Sequence, residues 1–324
     1  MKSKKITGWS NLQLFYSAET TQYFLEIIYK EQQVEKSREY SYKNGDRFIF
    51  YLKHAEAFFT QAAVSSIEIK PILLFYGTAQ LLKACLLTVD YLYPSHTSVL
   101  AHGVTTRKRK KQNYRFYEDE VKIQKNGLCM HVCRKLFGLD RSLEDERFQM
   151  KQLITRIPEL NEVLSFQRKN NFSLAEIIKT EEKYAVPIKL AQDYCMSVDR
   201  LAEYIAHHLG WKFIDKTESY LYFVLSEKET CTSTSKTLLY NFETNQQFLP
   251  AERDRFLNLP ELISHYLLLY NLSMIARYET EWWYELILQN GSDDYVIIQQ
   301  FLEIAEKKVP IHIADYLTQI KQRL

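Results

Sequence analysis

The chain has 324 residues, 46% hydrophobic and 25% charged, which is the usual composition of a globular protein with a sizeable core. The net charge of +2 excludes binding to nucleic acid through overall charge, and the 8 glycines and 7 prolines argue against long flexible linkers. Five scattered cysteines favour a reducing compartment, and no signal peptide or membrane-spanning stretch is recognisable, so we expect a cytoplasmic protein.

Three segments with helical periodicity occupy the first part of the chain. Residues 12–36 and 47–64 repeat apolar side chains every three or four positions, which predicts two amphipathic helices. Pro71 opens a third segment that is apolar nearly all round to about residue 93, as in a buried central helix. Short connections between these segments predict a helical bundle.

Two pairs of alternating segments predict β-hairpins in the middle of the chain. Residues 114–123 and 128–136 flank Asn126-Gly127, a dipeptide typical of a two-residue hairpin turn. Residues 219–226 and 237–243 form the second pair. Between the pairs, Ser173 and Glu176 fit a capping box for a short helix over 173–183, and residues 187–209 predict a longer helix.

The last third of the chain predicts further helices. Residues 260–279 are apolar nearly all round, and residues 295–308 and 311–324 are amphipathic. Most of the 23 tyrosines, such as Tyr266 and Tyr270, fall in apolar runs and are predicted to be core or half-buried residues. We therefore predict a mainly α fold: a single compact helical bundle over residues 1–324 with two short β-hairpin decorations. A subdivision into residues 1–140 and 141–324 is the alternative.

A dense basic segment is the clearest functional feature. Not one acidic side chain occurs between Asp90 and Glu118, so these cations gain by meeting an anion, and phosphate suits both Arg and Lys. His102, just before the segment, could donate to a phosphate or act as a general base; the alternative is a histidine that caps or braces a turn. The alternative is a solvated loop balanced by the acidic run at 118–120. The predicted ligand-binding residues are His102, Arg107, Lys108, Arg109, Lys110, Lys111 and Arg115.

Two other patterns carry weaker hypotheses. Arg200 and His207 are seven residues apart on a predicted helix, so both project from one face and could clamp a phosphate and move a proton; the alternative is an ordinary helix surface. Cys129, His131 and Cys133 would share one face of a strand, but zinc requires four ligands and no second cluster is present. No P-loop, GxGxxG, GxSxG or HExxH motif occurs, so we expect no metal, no cofactor and no recognised catalytic machinery.

Several stretches together resemble the YaaC-like family of Firmicutes. They are residues 70–77 (KPILLFYG), 99–115 (VLAHGVTTRKRKKQNYR), 121–128 (VKIQKNGL) and 265–283 (HYLLLYNLSMIARYETEWW). The resemblance extends over nearly the whole chain. It implies no established biochemical activity. Genes of the family often lie beside the gene for IMP dehydrogenase, which implies a link to purine metabolism through that enzyme as partner or through a nucleotide ligand.

A looser resemblance is to HEPN-type helical domains, many of which are dimeric, metal-independent ribonucleases. Lys83-Ala84 followed by a His-containing loop is similar to their pattern, and Arg200-x6-His207 matches the Arg-x4–6-His spacing at its upper limit. Leu201 departs from the usual polar residue after the Arg. The resemblance implies His207 as acid/base and Arg200 as the group stabilising the phosphorane. We favour a non-catalytic binding or regulatory protein that engages a phosphate-bearing ligand or an acidic protein, with the ribonuclease as the alternative. A homodimer is a further expectation.

Overall fold

A computed structural model describes residues 8–106, 115–139, 143–167, 174–180, 183–225, 238–253, 259–288 and 293–323. The chain divides into two compact units. Residues 1–150 and 265–324 form the discontinuous unit, and residues 151–264 form the inserted unit. Helices predominate, so the mainly α prediction is confirmed, but the β-sheets are more extensive than two short hairpins.

The discontinuous unit begins with four helices. Its long helices pack side by side because each has a stripe of fully buried apolar side chains, and Leu74 and Phe75 provide part of this stripe on the fourth helix. The three predicted helical segments are confirmed, although the third ends earlier than expected. The helices are α1 (Gly8–Leu12), α2 (Ala18–Glu31), α3 (Ser37–Val64) and α4 (Lys70–Leu86).

A three-stranded antiparallel sheet follows, with β1 (Val104–Thr106), β2 (Glu120–Ile123) and β3 (Arg147–Gln149) in that spatial order. The hairpin predicted around Asn126-Gly127 is wrong, because the second segment is a helix, α5 (Leu128–Phe137). The apolar side chains of this segment recur with helical rather than strand spacing and form its buried face. That face carries Leu128, Cys129, Val132, Cys133 and Phe137.

Gly127 explains why a turn signal precedes a helix. Its backbone has φ of +119° and ψ of 178°, a conformation essentially restricted to glycine. A Cβ placed on Gly127 would lie 2.4 Å from the Cα of Gly103, which itself has φ of +74°. The glycine therefore allows two backbone segments to touch.

The inserted unit contains a six-stranded antiparallel sheet. In chain order the elements of the unit are α6 (Met150–Ile154), α7 (Asn161–Phe166), β4 (Leu174–Lys179), β5 (Tyr184–Pro187), α8 (Leu190–Asp193), α9 (Val198–Leu209), β6 (Trp211–Lys216), β7 (Tyr220–Leu225), β8 (Leu239–Asn241) and β9 (Gln246–Pro250). The strand order in the sheet is β6-β7-β5-β4-β9-β8. The core of the unit includes Val186, Leu201, Ile205, Trp211 and Phe223.

Three sequence predictions fail or change in the inserted unit. The helix predicted over 173–183 is wrong, because β4 pairs with β9 and β5 there; Glu176 lies opposite Phe248, and Ser173 lies outside the described residues. The helix over 187–209 is two helices, separated where Cys195 takes a positive φ of 52°. The two strands of the second hairpin exist, but they do not pair with each other: β7 pairs with β5 and β6, and β8 pairs with β9.

The chain ends with α10 (Glu261–Tyr278), α11 (Thr280–Leu288) and α12 (Asp294–Arg323). The predicted core helix is confirmed by α10, in which Leu267, Leu268 and Leu269 are fully buried. The two predicted closing helices are one, because α12 continues through Pro310 with Ile313 buried beyond it. Within the described ranges, no helix combines the length and the apolar character needed to cross a bilayer.

Candidate anion-binding site

The loop that carries His102 is fixed by backbone hydrogen bonds. It lies between a short 3-10 turn and β1, and its carbonyl groups accept from the first turn of α5: Leu128 N–H donates to Ala101 O (2.7 Å) and Cys129 N–H to His102 O (3.1 Å). The hydroxyl of Tyr266 on α10 also donates to His102 O, at 3.0 Å. The first N–H groups of a helix have no partner within the helix, so this loop serves as the cap of α5.

The imidazole of His102 is half-buried among three aromatic rings. Its ring centroid lies 4.8 Å from that of Phe75, 5.8 Å from that of Tyr76 and 6.1 Å from that of Tyr270, all in edge-on geometry. Phe75 and Tyr76 belong to α4 and Tyr270 to α10. The ring is therefore held in place by packing from two helices.

Two cations lie near this imidazole. The pKa of His102 is lowered first by burial and then by the charges of Arg277 on α10 and Lys83 on α4. Burial also lowers the pKa of Lys83. Within the part of the chain that the structure describes, neither Lys83 nor Arg277 forms a salt bridge with a carboxylate. Neither cation is therefore neutralised by a salt bridge among these residues.

Arg277 is anchored by hydrogen bonds of its own. Its Nη1 donates to the hydroxyl of Tyr76 at 3.0 Å, and its Nε donates to the carbonyl oxygen of Ser273 at 3.0 Å. The guanidinium carbon also lies 5.2 Å from the ring centroid of Tyr278. These contacts orient the planar fork that makes Arg suitable for phosphate.

The same face of α4 supplies three polar groups. Tyr76, Gln80 and Lys83 are spaced by four and three residues, so they project from one side of the helix. The Nζ of Lys83 lies 5.8 Å from the ring centroid of Tyr51 on α3. Helices α3, α4 and α10 and the His102 loop therefore all contribute polar side chains to this region.

Most of the predicted basic segment lies outside the described residues. The chain on either side of it is anchored: Thr106 pairs with Val121 in the sheet, and the N–H of Phe116 donates to the carboxylate of Asp294 on α12 at 2.9 Å. Arg115, the one described member of the segment, is exposed. The residues for which the structure gives no placement are Arg107, Lys108, Arg109, Lys110 and Lys111.

Arg200 and His207 lie on α9 in the inserted unit. Both side chains are exposed, and their spacing puts them on one face of the helix, as the sequence predicted. The Oγ of Ser197 caps this helix by accepting from the backbone N–H of Arg200 at 3.3 Å.

Cys129, His131 and Cys133 do not converge, because α5 is a helix. The two cysteines are buried one turn apart, and their mutual hydrogen bond, with burial, raises the pKa of Cys129. His131 points elsewhere, with Nε2 2.8 Å from a carboxylate oxygen of Asp90.

Sequence reasoning selected His102 but missed Lys83 and Arg277 as partners of the site. Both lie in nearly all-apolar helices. In such a helix, an isolated cation is the sequence feature that could indicate a functional residue. Arg277 and Tyr76 also lie within two of the stretches that carry the family resemblance, and that coincidence could have singled them out.

Comparison with known proteins returned a single kind of match. A family model described as "YaaC-like Protein" matches residues 13–317, which is nearly the whole chain. No curated protein and no solved structure matches.

Proposed function

We propose that this chain, which belongs to the YaaC-like family as its resemblance predicted, is a non-catalytic binding or regulatory protein that engages a phosphate-bearing ligand. Its recessed contacts would be His102, Lys83 and Arg277, and the basic segment 107–115, which follows β1 in the sequence, would add electrostatic attraction for the same ligand. A nucleotide and a nucleic acid are the two ligand classes that fit this chemistry.

The observation that supports the proposal is that two cations from separate helices act on the same histidine. Lys83 from α4 and Arg277 from α10 both act on the half-buried imidazole of His102, without an acidic counterpart in the described residues. Like charges in a partly desolvated site repel one another, and an anion relieves this repulsion. Phosphate accepts from the Arg fork, from a Lys point charge and from a neutral imidazole N–H.

The basic segment would add electrostatic attraction for the anion. It adds five cations directly after β1 in a chain with a net charge of only +2, so its field is local. Loops that bind ligands are commonly positioned by a rigid scaffold, and the hydrogen bonds of Thr106 and Phe116 provide fixed ends. Binding through such contacts should weaken as salt is raised.

Calorimetric titration of the full chain with a nucleoside 5′-monophosphate and with a short RNA tests the proposal. Arg277→Gln and Lys83→Gln should each weaken binding about tenfold, since a charged hydrogen bond contributes roughly 1.5–3 kcal/mol. Lys36→Gln is the matched control, because this exposed lysine pairs with Glu39 at the surface. Equal affinities for all three variants would contradict the proposal.

The ribonuclease alternative remains a prediction. Exposure of Arg200 and His207 on one face of α9 is what such a mechanism would require. Incubation of the chain with RNA and a chelator tests it: cleavage that disappears in His207→Ala supports the alternative, and no cleavage refutes it.

The other partner predictions also await a test. They are an acidic protein surface, IMP dehydrogenase and a second copy of the chain. A pull-down that compares wild type with a Lys108/Arg109/Lys110→Glu variant distinguishes a protein partner of the basic segment from a small phosphate ligand.

A further inference from the structure

A stack of three aromatic rings joins α3 to α4. The ring of His54 lies over that of Phe58, with centroids 4.7 Å apart and an interplanar angle of 25°, and Phe58 stacks in turn on Tyr76 at 6.0 Å and 24°. Gly77 lets the two helices approach closely here, because a Cβ at this position would lie only 3.2 Å from the Cβ of Phe58. We call His54, Phe58 and Tyr76 the ring stack.

The ring stack reaches solvent on α3. Phe58 and Tyr76 are half-buried, whereas His54 is exposed. One turn before His54, the ring of Phe50 is 65% exposed, and the spacing of four residues puts Phe50, His54 and Phe58 on one face of the helix. Apolar side chains that are exposed singly are common, but Phe50 continues a run of rings. The face from Phe50 to Phe58 is about 12 Å long, at 1.5 Å per residue.

The two cations of the candidate site lie beside these rings. Arg277 Nη1 donates to the hydroxyl of Tyr76 at 3.0 Å, and its guanidinium carbon lies 5.7 Å from the centroid of the same ring. The Nζ of Lys83 lies 5.8 Å from the ring centroid of Tyr51, which is the neighbour of Phe50 in the sequence and lies one turn before His54. Aromatic faces and positive charge therefore occur together along α3 and α4.

We infer that the phosphate-bearing ligand is a single-stranded nucleic acid, whose bases stack on Phe50 and His54 while its phosphates contact Arg277 and Lys83. The inference rests on the proposed function. Proteins hold single strands by this combination of cations for the backbone and aromatic rings for the bases, and the stacking tolerates any sequence because every base has a π face. A duplex keeps its base faces covered, and a mononucleotide offers one base only.

The test is calorimetric titration of the full chain with a single-stranded RNA of about 12 nucleotides, the duplex of the same sequence, an abasic backbone of the same length and adenosine 5′-monophosphate. The abasic probe keeps the phosphates and lacks the bases. The single strand should bind at least tenfold more tightly than the duplex and the abasic probe. Phe50→Ala and His54→Ala should each weaken single-strand binding about fivefold or more and leave abasic binding unchanged, whereas Arg277→Gln should weaken both.

The variants have a matched control. Phe50→Ala should fold normally, because most of this side chain is in solvent. Tyr23→Ala removes an aromatic ring that is 68% exposed on α2 and should leave all four affinities unchanged.

The outcomes separate the inference from the proposed function. Single-strand binding that is no tighter than abasic or duplex binding, or that survives both Phe50→Ala and His54→Ala, would overturn the inference and leave the phosphate site in place. A dimer in sedimentation that Phe50→Ala dissociates would assign the rings to a second copy of the chain and also overturn it. Binding of none of the probes would overturn the proposed function, and the inference with it.

Discussion

The contact between Gly103 and Gly127 provides the sharpest test of how the His102 loop is built. In Gly127→Ala, the new Cβ would lie 2.4 Å from the Cα of Gly103 and 2.5 Å from its nitrogen. Both are backbone atoms, so neither can rotate away as a flexible side chain would. The backbone conformation of Gly127 alone costs a non-glycine residue about 1–3 kcal/mol. Displacing two packed backbone segments adds to this, for a total of about 3–5 kcal/mol.

Urea-induced unfolding of the full chain measures this change. Gly138→Ala is the matched control: Gly138 also has a positive φ, of +57°, but a Cβ there would meet nothing within 4 Å. Its cost should be only the conformational one, about 1–2 kcal/mol. A Gly127→Ala variant that is destabilised no more than Gly138→Ala would refute the close-contact reasoning. If the reasoning holds, Gly127→Ala should also weaken the proposed phosphate binding, because it displaces the loop that carries His102.

Two further predictions concern buried polar contacts. Hydrogen bonding to His131 is the main cause of the lowered pKa of Asp90, so this stabilisation is present above the carboxyl's ordinary pKa of 3.8 and is lost as pH falls through the lower folded value. Asp90→Asn should therefore reduce the free energy of unfolding by about 1–3 kcal/mol at pH 7 and by progressively less below pH 4; a difference that is constant down to pH 2 would contradict this. The hydroxyl of Tyr29 donates to the carbonyl of Leu87 (2.8 Å) and accepts from Asn44 Nδ2 (3.0 Å). Tyr29→Phe should cost about 1–3 kcal/mol in thermal unfolding, and an unchanged Tm would show that these bonds add nothing.

Helices were predictable where a long apolar stripe determined them. The stripes of α3 and α10 extend over several turns, so periodicity alone located both helices. The Asn126-Gly127 dipeptide led to the wrong hairpin prediction, because a two-residue signal indicates only the local conformation that glycine permits. The reason for that conformation is Gly103, more than twenty residues away in the chain. Contacts of this kind arise in the fold and leave no local pattern.

The candidate site was predictable in part. The position of His102 beside a glycine and a cation-rich segment marked it as a candidate, whereas Lys83 and Arg277 became candidates only once α4 and α10 were placed around it. The prediction that tyrosines are core residues holds for Tyr93 and Tyr266, both fully buried. It fails where a surface helix carries the residue, as with Tyr42, which is 72% exposed.

The division of the first unit across the chain has a consequence for its biosynthesis. A Cβ on Gly8 would lie 2.6 Å from the backbone of Pro310, so the first helix rests against a helix that is synthesised about three hundred residues later. The inserted unit, which is continuous in sequence, can mature while the nascent chain is still growing. Arg277 and Tyr270 emerge only with residues 265–324, so a chain stopped before residue 265 would contain His102 without the helix that completes the proposed site. The proposed ability to bind phosphate would thus be acquired only after the inserted unit has been synthesised.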